Sequence, residues 1–380
     1  MAESYRADHV GSLLRTPAVL EARAAHAAGR LSLNQLRDIE DKAILAALEM
    51  QRQVGIDVCT DGEYRRSWWS GAIAESVEGV IDDPEAVFTP SWQGPSAAQA
   101  DATAAEIGFG EQVVGAKLRQ IRRLTVHESG FLKQHAPGPW KITIPGAMSR
   151  APGWYKPGLT DQFYPTLADL VQDIVDILRR EVQALIAEGV SYIQLDSLRY
   201  VIQLADLQIR QRMRQAGRDL DQALDETIAA DNATLQDARG AGVTVGLHMC
   251  RGNNRSAWRT TGGYEAIAEK AFNLLNVERF LLEYDTERAG GFEPLRFVPR
   301  GKMVVLGLIS SKDPRLESQD QLLRRIDEAA EYVPIDSLAL SPQCGFASTA
   351  PGNLLTWDEQ RRKLELVAEM ARKVWGAAHG

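Results

Sequence analysis

Apolar positions along this chain follow two different periods. Short, nearly continuous apolar runs occur at residues 140–145 (WKITIP), 191–196 (SYIQLD), 243–250 (VTVGLHMC), 279–285 (RFLLEYD), 302–309 (KMVVLGLI) and 337–344 (SLALSPQC). Runs of that length, rich in Val, Ile and Leu, fit parallel strands covered on both faces. Two further strands are expected nearer the start, at 7–12 (ADHVGS) and 55–63 (GIDVCTDGE). Between the runs the period changes to that of a helix. Residues 167–188 (LADLVQDIVDILRREVQALIAE) repeat apolar side chains at helical spacing and stop at Gly189, and residues 357–374 do the same near the end. Alternating strand and helix predicts βα units on a parallel sheet, and eight of them predict an α/β fold of the (β/α)8 or TIM-barrel class.

Two stretches break the alternation. Residues 64–139 are too long for a simple crossover, and are expected to form an insertion between strands two and three, a hairpin over the barrel mouth. They contain Pro, Gly and Ala-rich pieces followed by the runs 112–118 and 124–132. Residues 207–237 form a second extended segment, charged and mostly helical by pattern. The whole chain, 1–380, is expected to be one barrel domain, since such barrels tolerate large insertions.

Composition narrows the class. The 380 residues are 44% hydrophobic and 25% charged, an ordinary globular balance with material for a large core. A net charge of −8 without a Lys/Arg block argues against a nucleic-acid partner. The start, MAESYRADHVGS, lacks a charged segment followed by an apolar run, so no signal peptide is expected. No apolar stretch has the length of a membrane span, so no membrane partner is expected. Three cysteines make no disulfide framework and point to a reducing, cytoplasmic setting, where cysteines are buried, catalytic or metal-bound. A homo-oligomer is compatible with this composition.

Reactive side chains collect where the predicted strands end, the face on which barrels of this type build their sites. His248 and Cys250 end strand five, two residues apart and therefore on one side of an extended chain. Glu283 lies near the end of strand six, and Cys344 ends strand eight. An imidazole, two thiolates and a carboxylate suit Zn²⁺. A carboxylate that leaves readily would let an incoming thiol take its place, and a metal-bound thiol loses its proton near neutral pH. The alternatives are a buried cysteine beside a satisfied histidine, an ion-paired Glu283, or a closed structural zinc. At the other strand ends, Asp61, Glu63 and Asp196 are candidates to grip a substrate ammonium, or else helix caps and ion pairs. Gly11 and Ser12 offer backbone N–H groups or an ordinary turn. His9 is a proton carrier or a core histidine. Arg251, Asn253, Asn254 and Arg255 form an anion site or a solvated loop. Trp68 and Trp69 form an aromatic wall or pack internally, and Cys59 is a small buried hydrophobe.

The segments DHVGSLLR, TDGEYRRSWW, YIQLD, HMCRGNNRSAW, FLLEYDTERAGGFEPLRF and LALSPQCGFAST together resemble the cobalamin-independent methionine synthase superfamily, in its shorter single-barrel members. The resemblance covers nearly the whole chain. It implies zinc held by His248, Cys250, Glu283 and Cys344, with the first, second and fourth of these at the catalytic centre. It implies homocysteine bound through Gly11, Ser12, Glu63 and Asp196. It also implies methyl transfer from a methyl-folate or another small methyl donor. The chain departs from the family pattern at Ser197 and Leu198, where the strand-end Asp is followed by Glu-Pro in methionine synthase. It departs again in ITIPGAMSRAPGWY, where Pro145, Gly146 and Ala147 occupy the region of the family's folate-site Trp and Trp154 lies further on. The long folate-gripping N-terminal half is absent. Opening of an epoxide by coenzyme M, a reaction of other members, and a zinc- or thiol-binding protein without turnover are the remaining readings.

Overall fold

The computed structural model describes residues 5–85, 91–106, 112–215 and 217–376, with the backbone alone at position 203. Between residues 64 and 139 an antiparallel pair forms, β1 (Val77–Asp82) against β2 (Gln112–Gln120), with a helix at Ala97–Glu106 between them in sequence. The main sheet is parallel and runs in chain order: β3 (Lys141–Pro145), β4 (Tyr192–Asp196), β5 (Thr244–Met249), β6 (Arg279–Glu283), β7 (Met303–Ile309) and β8 (Leu338–Pro342). Strands β3, β4, β6 and β8 are buried at every position, as expected of strands with helices outside and packed side chains within.

The two N-terminal strands are corrected. Neither 7–12 nor 55–63 forms a continuous ladder. Each contributes one parallel bridge, Ala7 to Leu340 of β8 and Cys59 to Trp140 beside β3. The Asp57 N–H donates to the Ala7 carbonyl between them at 3.0 Å, so short extended segments fill the ring between β8 and β3. The cause is local: the backbone turns away through positive φ at Gly11 (137°), Gly62 (72°) and Glu63 (59°). The result is a (β/α)8-type barrel with two abbreviated strands.

The helices pack outside. Leu167–Glu188 starts at a capping box in which the Thr166 side chain accepts from Asp169 N and Asp169 answers to Thr166 N. Its Leu170, Ile174, Leu178 and Val182 are buried at helical spacing. Trp357–Trp375 has the same device at Thr356 and Glu359. The segment 207–237 divides into Leu207–Gln215 and Leu220–Thr234. Low in the barrel, Asp8 accepts from Lys141 at 2.7 Å and from Arg279 at 3.1 Å. Lys141 also donates to the His9 carbonyl and to Gln194. No helix among the described residues is long and apolar enough to cross a membrane.

Candidate metal centre and substrate pocket

Strand register brings the reactive side chains together. Asp196 pairs with His248 across β4 and β5, and His248 pairs with Leu281 across β5 and β6. Counting on by two, Cys250 and Glu283 come level at the mouth. Cys344 lies in the turn just after β8. One ligand atom from each of His248, Cys250 and Cys344 falls within 4.8 Å of the others, and all three residues are buried. His248 Nδ1 lies 3.3 Å from the Leu281 carbonyl, while its Nε2 is buried with no hydrogen-bond partner. An imidazole whose Nδ1 is held by a carbonyl presents Nε2 as a ligand. This orphaned nitrogen beside two thiols fits a zinc ion.

The electrostatics agree with a cation site. Cys344, hydrogen-bonded by Cys250 and beside the His248 imidazole, is held well below the ordinary thiol range. Its partner Cys250 is pushed well above it by the same hydrogen bond and by burial. Burial would raise Glu283, but Arg251, Lys312 and Arg288 outweigh it and keep the carboxylate ionised. Glu283 stands apart from the trio. Its Oε1 accepts from Arg288 at 2.7 Å and its Oε2 from the Arg251 backbone N–H at 2.8 Å.

These residues open into a cavity of about 480 Å³. Ser12, Glu63, Asp196, Asn253 and Gly345 line it beside His248, Cys250 and Cys344. Glu63 Oε1 accepts from Thr143 Oγ1 at 2.8 Å, while Oε2 is buried and unpartnered. Burial raises the Glu63 carboxyl against the pull of Arg66. Burial likewise lifts Asp196 to about 7, opposed by His248 and by the Gln194 amide that donates to Oδ1. Backbone at Gly11 passes close beneath: a Cβ there would lie 2.8 Å from Thr143 Cγ2 and 3.2 Å from Glu63 Oε1. At Gly345 a Cβ would meet Ser12 Oγ at 2.0 Å, so only glycine lets the Cys344 turn sit against Ser12.

The remaining candidates separate. Asp61 does not line the cavity; its Oδ1 accepts from Glu63 N at 2.9 Å and shapes the turn that presents Glu63. His9 sets Nε2 3.1 Å from the Val58 carbonyl, and burial lowers it to about 3, a core histidine rather than a proton carrier. The proposed anion loop is spoken for. Arg251 donates to the Gly262 and Ala289 carbonyls, Asn253 to Gly345, Asn254 to Ala100, and Arg255 to Pro351 and Gly352. Cys59 is buried in the core, which pushes its thiol up to about 12. Trp68, Trp69, Trp92 and Gln112, all from the 64–139 stretch, line the cavity.

Comparison with known proteins decides the family. The profile of the cobalamin-independent synthase catalytic domain matches residues 6–373. The chain belongs to that family. It is 40% identical over 380 residues to the uncharacterized protein YxjH of Bacillus subtilis, covering 98% of this chain and 95% of that one. A methionine synthase of Pyrococcus abyssi is 23% identical over 321 residues, 84% of this chain and 79% of its own length. Among solved structures, a Listeria monocytogenes protein provisionally assigned as a vitamin-B12 independent methionine synthase superposes with a TM-score of 0.72 at 27% identity. The match covers 99% of this chain and 100% of that one. The barrel is thus the catalytic-domain fold of the family.

Sequence reasoning missed several lining and supporting groups. Thr143 and Gln194 each precede a strand end by two residues, so period-two counting from Pro145 and Asp196 points inward to both. Lys312 donates to Asn253 Oδ1 at 3.0 Å and carries no pattern that distinguishes it. Trp92 sits in a stretch without periodicity and leaves no such signal.

Proposed function

We propose that this protein transfers an alkyl group, a methyl, to a thiol seated at His248, Cys250 and Cys344, with homocysteine as the acceptor and methionine as the product. The observation that carries the reading is the convergence of three ligand-type atoms within 4.8 Å on a cavity that Glu63 and Asp196 also line. Zinc is the ion this donor set suits; when bound there it would supply Lewis acidity that keeps a substrate thiol deprotonated. Glu283 joins the ligand set in this reading.

The chain's own residues supply the rest. Glu63 Oε2, unpartnered, and Asp196 take the substrate ammonium. Ser12, packed against the Cys344 turn, and the backbone at Gly11 orient the amino-acid end. The buried walls exclude water, so the sulfur attacks a methyl carbon held in line; the S–C bond forms as the donor–methyl bond breaks. In this reading a methyl-folate or another small methyl donor takes the rest of the cavity. Two carboxylates beside the thiol position favour an ammonium-bearing thiol over the sulfonate of coenzyme M, whose charge they would repel. The test is a screen of thiols with methyl-folate and other methyl donors. Homocysteine is expected to turn over. Coenzyme M turnover with an epoxide and none with homocysteine would overturn the reading, as would bound metal with silence across all pairs.

A further inference from the structure

Cys344 lies in a turn that two neighbouring loops hold from either side. From the loop after β7, the Ser311 hydroxyl donates to the Gly345 carbonyl at 3.1 Å and accepts from the Gln343 amide at 2.9 Å. From the loop after β5, the Asn253 amide donates to the same carbonyl at 2.7 Å and to Ser348 Oγ at 3.2 Å. Both residues flanking Cys344 are therefore tied, and the tie on the β5 side starts just past Cys250. Asn253, Ser311 and Gln343 are all buried. The turn has no slack at Gly345, where a Cβ would strike Ser12 Oγ.

Lys312 completes this arrangement. Its ammonium donates to Asn253 Oδ1 at 3.0 Å. An ammonium only donates, so the amide end that faces it must be the oxygen, and the NH2 end is left pointing at Gly345. A flipped amide would set NH2 against the ammonium and one carbonyl oxygen against another. Lys312 forms no ion pair within 4.0 Å among the described residues. Arg251 and Arg288, the neighbouring cations, reach Glu283 at 3.9 and 2.7 Å. Ion pairing therefore does not account for where the Lys312 ammonium sits; the Asn253 oxygen does. Its charge is also felt at the centre, where it pulls Cys250, Cys344 and Glu283 toward ionisation.

We propose that Lys312 is a positioning residue of the metal centre: by fixing the Asn253 amide it sets the Cys344 turn against the Cys250 loop, so that the two thiols converge before the ion arrives. The inference rests on the metal reading above. Groups that orient ligands without touching the ion are worth about 10- to 100-fold in metal affinity. The sign separates positioning from charge. By charge alone a lysine repels an incoming dication, so its loss would tighten zinc binding. Acting through Asn253, its loss weakens zinc binding.

The test reads metal binding without turnover. The zinc dissociation constant of the intact, metal-stripped protein is measured by competition with a chromophoric chelator. Wild type, Lys312→Met, Lys312→Arg, Asn253→Ala and the Lys312→Met/Asn253→Ala double variant are compared. Lys312→Met is expected to weaken zinc by about 10- to 100-fold, with the melting temperature of the stripped protein unchanged. Lys312→Arg keeps a donor for Asn253 Oδ1 and is expected to hold zinc nearly as well as wild type. In the Asn253→Ala background Lys312→Met is expected to cost little more, because the link it acts through is already gone. Zinc held by Lys312→Met as tightly as by wild type, or more tightly, overturns the proposal. So does an equal loss in the Arg and Met variants, or a full loss from Lys312→Met on top of Asn253→Ala. Asn253→Ala alone reads the link from its other end: unchanged zinc affinity there overturns the proposal even if Lys312→Met does not fold. Wild type without measurable zinc binding removes the metal reading and this proposal with it. Wild-type binding that Lys312→Met matches removes the proposal alone.

Discussion

Glu63 sits at positive φ, with one carboxylate oxygen taken by Thr143 and the other facing the cavity unpaired. A non-glycine residue in that backbone region is held there by its surroundings, here the Asp61 turn and the close pass of Gly11. Glu63→Gln keeps the shape and the Thr143 contact but removes the charge. The KM for homocysteine is expected to rise by about 10- to 100-fold, the worth of one charge-assisted contact, with a smaller change in kcat. An unchanged KM in steady-state kinetics would take Glu63 out of the ammonium site. At this scale the sequence was informative where strand periodicity applied. His248 and Cys250 share a face because they are two apart on β5, and Asp196 is their neighbour in register. Glu283 was legible as a strand-end carboxylate. Its ion pair with Arg288 was not, because that contact depends on how the loop after β6 folds back.

The six strands of the main sheet were legible as elements because burial on both faces makes them almost wholly apolar. The first two segments form one bridge each instead of a ladder, because Gly11 and Gly62, at positive φ, turn the chain away. The helix Leu220–Thr234 shows a relation that no one-dimensional pattern gives. Its Asp231 is buried, accepts from Tyr200 Oη at 2.8 Å, and has a second oxygen without a partner beside Gly146. Burial lifts this carboxyl to about 7, above its unfolded value of 3.8. A group whose pKa is raised by folding stabilises the fold fully below its unfolded pKa, and that contribution is lost as pH rises through the folded pKa. Wild-type stability should therefore fall between about pH 4 and 7, by up to about 1.4 kcal/mol per pH unit from this group. Asp231→Asn should gain on wild type over that window in urea unfolding. A difference that stays constant with pH would contradict the assignment.

Across the whole molecule, two ends of the barrel serve different ends. The lower end is closed by charge: Asp8, from the N-terminal segment, ties Lys141 of β3 to Arg279 of β6 with all three buried. Removing one partner of such a cluster leaves a buried cation uncompensated, at a cost of about 3–5 kcal/mol. Asp8→Asn should accordingly lower the unfolding midpoint sharply, and a variant as stable as wild type would refute that role. The mouth gathers the candidate site, lined by residues at the ends of β4, β5 and β8 and from the 64–139 stretch. Its central claim is that His248, Cys250 and Cys344 hold the ion on which thiol methylation depends. The most direct measurement is methionine formation from homocysteine by protein stripped of metal, before and after one equivalent of zinc is returned. The account predicts activity near zero in the stripped protein and recovery on adding zinc, with no recovery in Cys344→Ser. Undiminished methionine formation after complete metal removal would contradict it.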